Sequence, residues 1–275
     1  MRARDALRAA ARRLEEAGVP DPVRDARRLM DHFFGRLWDD DPVPDEDAYD
    51  RAVARRAARE PISHITGLRG FWRSEFRVTP DVLDPRPETE ALVEAALEWQ
   101  FNRVLDIGTG SGVILLTLLV ERAEARGFGT DVSEAALAVA RRNAEGLGVE
   151  DRATWHLTSW TAGVPGVFDL IVSNPPYLAE HEMEGLAPEL SYEPRGALTL
   201  GGDGLDAYRA IAAEAPDRMA PGGRILLEIG PTQGEAVSGM LRDAGLTRVE
   251  IRRDLDGRDR VVMGEKLRIR GDSGL

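Results

Sequence analysis

The sequence predicts an α/β protein, a mostly parallel sheet covered by helices on both faces, preceded by a small all-helical module. Three observations predict it. From Arg103 onward, short apolar segments of strand length alternate with longer helical ones, as parallel strands joined by crossover helices require. The last two strand candidates are separated only by Asp254–Asp259, a connection that permits antiparallel pairing alone. The first 60 residues show helical spacing and no strand pattern.

Taken in order, Leu7, Ala10, Ala11, Leu14 and Ala17 mark a first helix that Gly18 can close in a left-handed conformation. Asp21-Pro22 reads as a cap followed by proline in the first turn, and Ala26, Leu29, Met30, Phe33 and Leu37 form the next apolar face. Tyr49, Val53 and Ala57 mark a third helix. In residues 61–88, Pro61, Gly67, Gly70, Pro80, Pro85 and Pro87 interrupt any long helix, and Phe71, Trp72, Phe76 and Val78 suggest a hairpin. A helix restarts at Glu88. Val104–Ile107 is a buried strand, followed by a glycine turn and a helix through Val120. Arg126–Thr130 is a second strand ending at Asp131, and Ser133 caps a helix over 134–146. Further strands fall at Ala153–Leu157, Phe168–Val172, Arg224–Ile229, Val249–Arg253 and Arg260–Met263, with helices near 205–219 and 233–244.

Composition narrows the function classes. A chain of 275 residues can hold a domain of about 200 residues and a smaller partner, and 43% hydrophobic content supports packed cores. Lys+Arg 36 against Asp+Glu 48 gives a net charge of −12. That balance argues against a protein that wraps nucleic acid, though it leaves room for a small basic groove. Residues 1–60 are nearly neutral, with 13 Arg against 14 Asp+Glu. Cysteine is absent, which removes disulfides, thiolate nucleophiles and cysteine-ligated zinc together. The amino terminus is charged through every turn, and the longest apolar run, Val113–Val120, is too short for a bilayer. A cytoplasmic protein with no membrane partner is expected.

Leu105-Asp106-Ile107-Gly108-Thr109-Gly110-Ser111-Gly112 places glycines at alternate positions directly after a strand. Glycine lets the backbone turn sharply and approach a ligand closely. A dinucleotide site would favour G-x-G-x-x-G with a pyrophosphate on the next helix. The G-x-G-x-G spacing here suits a ligand without phosphate, such as S-adenosylmethionine. Asp131, at the end of the second strand, can accept both ribose hydroxyls.

Phe168–Ser173 leads into Asn174-Pro175-Pro176-Tyr177. Ligands of open α/β sheets bind outside the carboxyl ends of strands, where Asn174 falls. Two prolines stiffen the turn and remove two N–H groups, but their carbonyls still accept. The Asn174 side-chain oxygen and the Pro175 carbonyl can grip both hydrogens of a planar –NH2 group, and Tyr177 can pack on its flat face. Such nitrogens are poor nucleophiles because the lone pair is delocalised. Acceptors on both hydrogens stabilise charge as it builds on the nitrogen and aim it for in-line attack.

The tetrapeptide behind a G-x-G-x-G loop resembles amino-methyltransferases in general, including those that modify adenine in DNA. Other segments narrow the likeness. Pro61-Ile62-Ser63-His64-Ile65-Thr66-Gly67, Asp84-Pro85-Arg86-Pro87-Glu88-Thr89-Glu90, Tyr192-Glu193-Pro194-Arg195, Gly201-Gly202-Asp203-Gly204-Leu205 and Arg258-Asp259-Arg260 resemble the PrmC/HemK family, the glutamine methyltransferases of peptide chain release factors. The resemblance spans essentially the whole chain. It implies a class I S-adenosylmethionine-dependent methyltransferase fold, Rossmann-like, with a mostly parallel seven-stranded sheet and an antiparallel terminal strand. It also implies a division into an N-terminal helical, release-factor-binding domain (1–60), a linker (61–88) and a catalytic domain (89–275). The implied reaction methylates the side-chain amide of the glutamine in the Gly-Gly-Gln motif of class I release factors, leaving S-adenosyl-L-homocysteine. Gly108, Thr109, Gly110, Ser111, Gly112 and Asp131 would hold the cofactor, with Asn174 beside it and Trp160 at the adenine. Asn174, Pro175, Pro176 and Tyr177 would hold the amide, with Arg86 and Glu88 at the mouth. Asp84 and His64 stand where relatives commonly carry an apolar and an aromatic residue.

His32, His64, His156 and His181 are scattered without ligand spacing, so no metal is expected. Arg270-Gly271-Asp272 reads as a solvated tail, and Arg12-Arg13 and Arg55-Arg56 as solvated helix faces. The main rival reaction, amino-methylation of adenine in nucleic acid, needs a surface for an anionic backbone. A net charge of −12 disfavours it, and no direct nucleic-acid partner is expected. A release-factor or ribosome-associated binding module without catalysis is a third possibility, disfavoured by the intact loop, acid and tetrapeptide. Nothing in the sequence demands more than a monomer.

Overall fold

A computed structural model of the chain describes residues 1–268. The expected solvated tail at Arg270-Gly271-Asp272 lies outside the described residues. The chain forms two compact units, Met1–Leu68 with Leu186–Glu193, and Arg69–Gly185 with the remainder from Pro194.

The first unit is helical: α1 (Ala3–Glu16), α2 (Pro22–Phe34), α3 (Glu46–Ala57) and α4 (Ile62–Thr66). Helix α1 buries Ala3, Ala6, Ala10 and Leu14, one stripe at three- and four-residue spacing. It ends in front of Gly18 at φ +71°. Asp45 caps α3 by accepting from the Ala48 amide at 2.8 Å. Asp21 stands at the start of α2 but makes no capping bond, so Pro22 alone sets that first turn. Leu14, Leu29, Met30, Tyr49 and Val53 meet in the core, which also takes Ile65 from α4. Helix α4 lies where the prolines and glycines of 61–88 predict only turns and extended chain, because five residues are too few to show a helical period. The unit accordingly runs past residue 60 to Leu68.

Arg55-Arg56 corrects the expectation of a solvated helix face. Arg55 pairs with Glu60, but Arg56 is buried and donates to Asp25 at 2.7 Å and to Glu189 at 3.0 Å. Arg59 adds two bonds to Glu189, at 2.7 and 2.8 Å. Burial alone would raise the Glu189 carboxyl, but the bonds from Arg59 and Arg56 hold it below its ordinary value. These pairs fasten the returning segment Leu186–Glu193 to α3.

The second unit opens with the hairpin β1 (Leu68–Phe71) and β2 (Ser74–Arg77), and a 3-10 turn over Pro87–Thr89 leads into α5 (Glu90–Leu97). Strands and helices then alternate: β3 (Arg103–Ile107), α6 (Val113–Glu121), β4 (Arg126–Asp131), α7 (Glu134–Leu147), β5 (Ala153–Leu157) and β6 (Phe168–Ser173). After the short α8 (Arg195–Leu198) come α9 (Asp206–Arg218), β7 (Met219–Glu228), α10 (Gly234–Asp243), β8 (Thr247–Arg253) and β9 (Asp259–Glu265). The seven-stranded sheet has the order β5-β4-β3-β6-β7-β9-β8. Every pairing is parallel except those of β9, which inserts between β7 and β8. The antiparallel strand is therefore last in the chain but not at the sheet edge.

Two cores lie on opposite faces, as strand alternation dictates. Val104, Leu170, Val172 and Leu226 pack with α5 and α6 on one face, while Leu105, Ile171, Ile225 and Leu227 pack with α9 and α10 on the other. The chain leaves β3 for β4 and β5, then crosses back to β6 on the other side of β3. That reversal opens a crevice at the carboxyl ends of β3 and β6, the usual ligand position in such sheets.

Candidate active site

The crevice holds a cavity of about 430 Å³, lined by the loop after β3, the ends of β4 and β6, and segments 81–89 and 194–200. Ser173 Oγ donates to the Ile107 carbonyl at 2.6 Å and ties the ends of β6 and β3 together. The glycine loop and the tetrapeptide are adjacent for that reason.

The loop glycines divide by task. Gly108 and Gly110 have positive φ, and a side chain added at either would enter open space. Gly112, also at positive φ, would place a Cβ 2.9 Å from Leu116 Cδ1 and 3.2 Å from Ala140 Cβ, so it serves helix packing. Gly108, Thr109, Gly110 and Ser111 line the cavity and Gly112 does not. Asp131 also lines it, and its two oxygens accept from the Gly110 amide and the Ser133 amide, each at 2.9 Å. Those bonds hold the carboxylate in one orientation while leaving it lone pairs for a ligand diol. Ser133 Oγ caps α7 through the Ala136 amide at 3.1 Å. Beneath the loop, Asp106 is fully buried and accepts from Thr109 Oγ1 at 2.6 Å. Burial pushes its carboxyl up to about 7 against that bond.

Asn174, Pro175 and Pro176 line the same cavity. Asn174 Nδ2 donates to Thr89 Oγ1 at 3.3 Å, which leaves Oδ1 as the side-chain atom open to a partner. Tyr177 does not line the cavity; it is partly buried against the second core, and burial raises its hydroxyl. Its carbonyl accepts from Gln233 Nε2 at 2.8 Å, and the next carbonyl, Leu178, accepts from Thr199 Oγ1 at 2.6 Å. A Cβ at Gly204 would sit 2.4 Å from the Tyr177 oxygen, so the glycine motif 201–204 includes a residue that must be bare. Trp160 lines the cavity and also packs on the second core. Of the two residues expected at the mouth, Arg86 lines the cavity, whereas Glu88 is exposed outside it. Asp84 is buried between Arg69, at 3.6 Å, and Arg86, at 3.8 Å, which accounts for an acid at that position.

Several contributors escaped sequence reasoning. Thr89, quoted in the Asp84–Glu90 segment but given no role, lines the cavity and meets Asn174 from 85 positions away. Asn143, buried on α7, donates to the Ser111 carbonyl at 2.9 Å and bonds Arg77 of β2, joining hairpin and glycine loop. Gln233 and Thr199 carried no motif cue. Pro194, which lines the cavity, fell within a segment noted for resemblance but given no role.

The residues present suit a nucleoside ligand with an amino-acid tail: two bare glycine positions, an oriented carboxylate and an apolar wall that includes Val132, 72% exposed. The Methyltransferase small domain model matches residues 82–205 and the PrmC N-terminal domain model matches 5–67. The release factor glutamine methyltransferase of Cereibacter sphaeroides is 56% identical, over 95% of this chain and 98% of that protein. The one from Rhodospirillum rubrum is 46% identical, over 92% of this chain and 82% of that protein. Among solved structures, a methyltransferase from Pyrococcus furiosus superposes with a TM-score of 0.54 at 19% identity, covering 70% of this chain and 88% of that one, a likeness of fold. The chain belongs to the release factor glutamine methyltransferase family and is a methyltransferase enzyme with the class I fold.

Proposed function

We propose that the chain transfers a methyl group from S-adenosyl-L-methionine to the side-chain amide nitrogen of the Gly-Gly-Gln glutamine in class I release factors. The observation that carries the reading is Asn174: its Nδ2 is committed to Thr89, in a cavity shared with the bare glycines and Asp131. Its Oδ1 and the Pro175 carbonyl then accept the two hydrogens of the incoming amide. Gly108 and Gly110 would hold the amino-acid tail of the cofactor, Asp131 its ribose and Trp160 its adenine, and the cofactor would supply an electrophilic sulfonium methyl there. Asn174 and Pro175 hold the amide nitrogen in line with the methyl donor, and the nitrogen releases one proton to solvent in exchange for the methyl group it gains. No strong base is needed first, since the nitrogen becomes far more acidic as methylation proceeds. Gln233 and Thr199 hold the turn rigid, and Tyr177 anchors it in the core, so the acceptors are aligned before the substrate arrives.

The helical unit is assigned to recruiting the release factor, and the enzyme to working as a monomer in the cytoplasm. On that reading, Val23→Glu at a 70% exposed apolar position raises KM for the factor and leaves kcat unchanged. The test of the reaction incubates the protein with labelled S-adenosylmethionine and a release factor, its Gln-to-Ala version, or DNA. Label is expected on the unaltered factor alone; label on DNA alone overturns the reading. Asn174→Ala should cut transfer by about 100-fold or more with cofactor affinity nearly unchanged, the scale seen when an oriented transition-state contact is removed.

A further inference from the structure

We infer that Thr89 and Glu228 form a buried positioning pair that decides which end of the Asn174 side-chain amide meets the substrate. The inference rests on the gripping role proposed for Asn174 and names the residues that make that role possible.

The pair follows from the fold. Ser173 of β6 and Leu227 of β7 are partners in the parallel register, so Asn174 and Glu228 are the next positions at the two strand ends. By alternation both continue the face on which Val172 and Leu226 lie, the face that α5 covers. Thr89 is the residue directly before α5. A threonine there ordinarily accepts an amide of its own helix's first turn. Thr89 makes no such bond. Its hydroxyl instead accepts from Asn174 Nδ2 at 3.3 Å, and the Glu228 carboxylate, beside Asn174 across the β6–β7 register, is the acceptor assigned to its proton. Glu228 is 1% exposed, and among the described residues its Oε2 has no hydrogen-bond partner.

The chemistry leaves one arrangement. An ionised carboxylate only accepts, and a hydroxyl has one proton to give. Glu228 therefore takes the Thr89 proton, and Thr89 can only accept from Asn174. That places Nδ2 toward Thr89 and Oδ1 toward the cavity. Shape alone would not choose, because the oxygen and the NH2 of an asparagine are nearly the same size. A flipped Asn174 would point N–H groups at the N–H groups of the amide it must hold.

The groups facing Glu228 are Arg260 on β9, Arg86 and Glu88 before α5, Tyr177 after β6 and Tyr208 on α9. Tyr208 donates to the Glu228 backbone carbonyl at 2.8 Å. Burial pushes the Glu228 carboxyl up to about 7, opposed by Thr89 and Arg260. Once protonated, Glu228 can donate to Thr89, which frees the Thr89 proton for Asn174 Oδ1 and permits the flip. Transfer should fall as pH drops through that value.

The test uses the full chain with Thr89→Val, Thr89→Ser and Glu228→Gln. The Asn174 side-chain NH2 is followed by nitrogen-15 NMR, assigned by its loss in Asn174→Ala, alongside transfer kinetics and cofactor binding across pH. Expected for the unaltered protein are NH2 hydrogens that exchange at least about tenfold slower than those of an exposed asparagine. Thr89→Val should erase that protection and lower kcat by about 10- to 100-fold with KM for both substrates within about twofold. Thr89→Ser should keep both properties. Glu228→Gln should flatten the acid limb of the profile. Unprotected Asn174 hydrogens in the unaltered protein overturn the pair, as does Thr89→Val with unchanged kcat or Thr89→Ser as damaged as Thr89→Val. A Thr89-dependent protection in a chain that methylates no release factor supports the pair and overturns only the proposed substrate.

Discussion

In the helical unit the buried Arg56 guanidinium meets Asp25 at 2.7 Å and Glu189 at 3.0 Å, whereas in the sheet unit the buried Asp106 carboxylate meets the Thr109 hydroxyl and the buried Glu228 carboxylate leaves Oε2 without a hydrogen-bond partner among the described residues. The first arrangement pairs opposite charges, so each offsets the desolvation of the other. The second leaves two acids underneath the cavity whose ionised forms are disfavoured, each pushed up to about 7 by burial. Burial of a charge without a direct ion-pair partner costs stability, and such groups cluster where a protein does chemistry. The comparison separates a charge cluster that holds chain segments together from one that sets up a site.

Breaking the first cluster should have the largest effect on stability. Asp25→Ala leaves Arg56 buried with one of its two carboxylate partners and should destabilise the fold by about 3–5 kcal/mol. Denaturant titration measures it, and hydrogen exchange should locate the loss in α1–α4. An effect below about 1 kcal/mol would mean that the pair is effectively solvated.

The same kind of charge removal in the second cluster should act with the opposite sign. Glu228 has an ordinary value of 4.5 and a folded value of about 7. Between those values the folded chain binds more protons than the unfolded one, so stability falls as pH rises through the window and stays reduced above it. Glu228→Gln should therefore raise stability at pH 8 by about 1–3 kcal/mol, with the gain vanishing below about pH 4.5. Thermal melts across pH read this directly. A Glu228→Gln protein less stable than the unaltered one at pH 8 would place Glu228 with the paired charges of the helical unit.

Within the sheet unit, the loop glycines allow a finer contrast. Gly112→Ala should cost about 2 kcal/mol, since it adds a contact with Leu116 to the strain of positive φ. Gly110→Ala should cost about 1 kcal/mol in stability, because its Cβ meets open space, yet weaken cofactor binding by filling the cavity. Melts and calorimetric titration together distinguish the two. The smallest expected effect is Ser133→Ala, which removes the cap of α7 and should cost about 1 kcal/mol.

The glycine loop, Asp131 and the tetrapeptide were legible because each is a run of neighbouring residues at a strand end, and strand ends follow from hydrophobic pattern. Thr89 and Glu228 were not: Thr89 lay in the Asp84–Glu90 segment with no role assigned, Glu228 carries no distinctive neighbour, and their meeting at Asn174 depends on the register of β6 with β7. Tyr177 shows the converse. Its place in the tetrapeptide suggested a face for the substrate, but the fold turns it into the second core. Arg55-Arg56 looked like one feature in sequence, yet a helix sends adjacent residues to different faces, and only Arg56 is buried.

By itself, the sequence determined the alternation of strands and helices, the antiparallel sense of the last pair and the place of the two motifs at strand ends. Those depend on local propensity, connection length and residue type, which neighbours in the chain carry with them. Only the tertiary structure decided that β9 inserts inside β8, that the first unit reclaims Leu186–Glu193, and that a threonine before α5 orients the asparagine after β6. Each of these is a contact between distant segments. Such contacts are selected by which faces can be buried together, and that choice is made only when the whole chain packs.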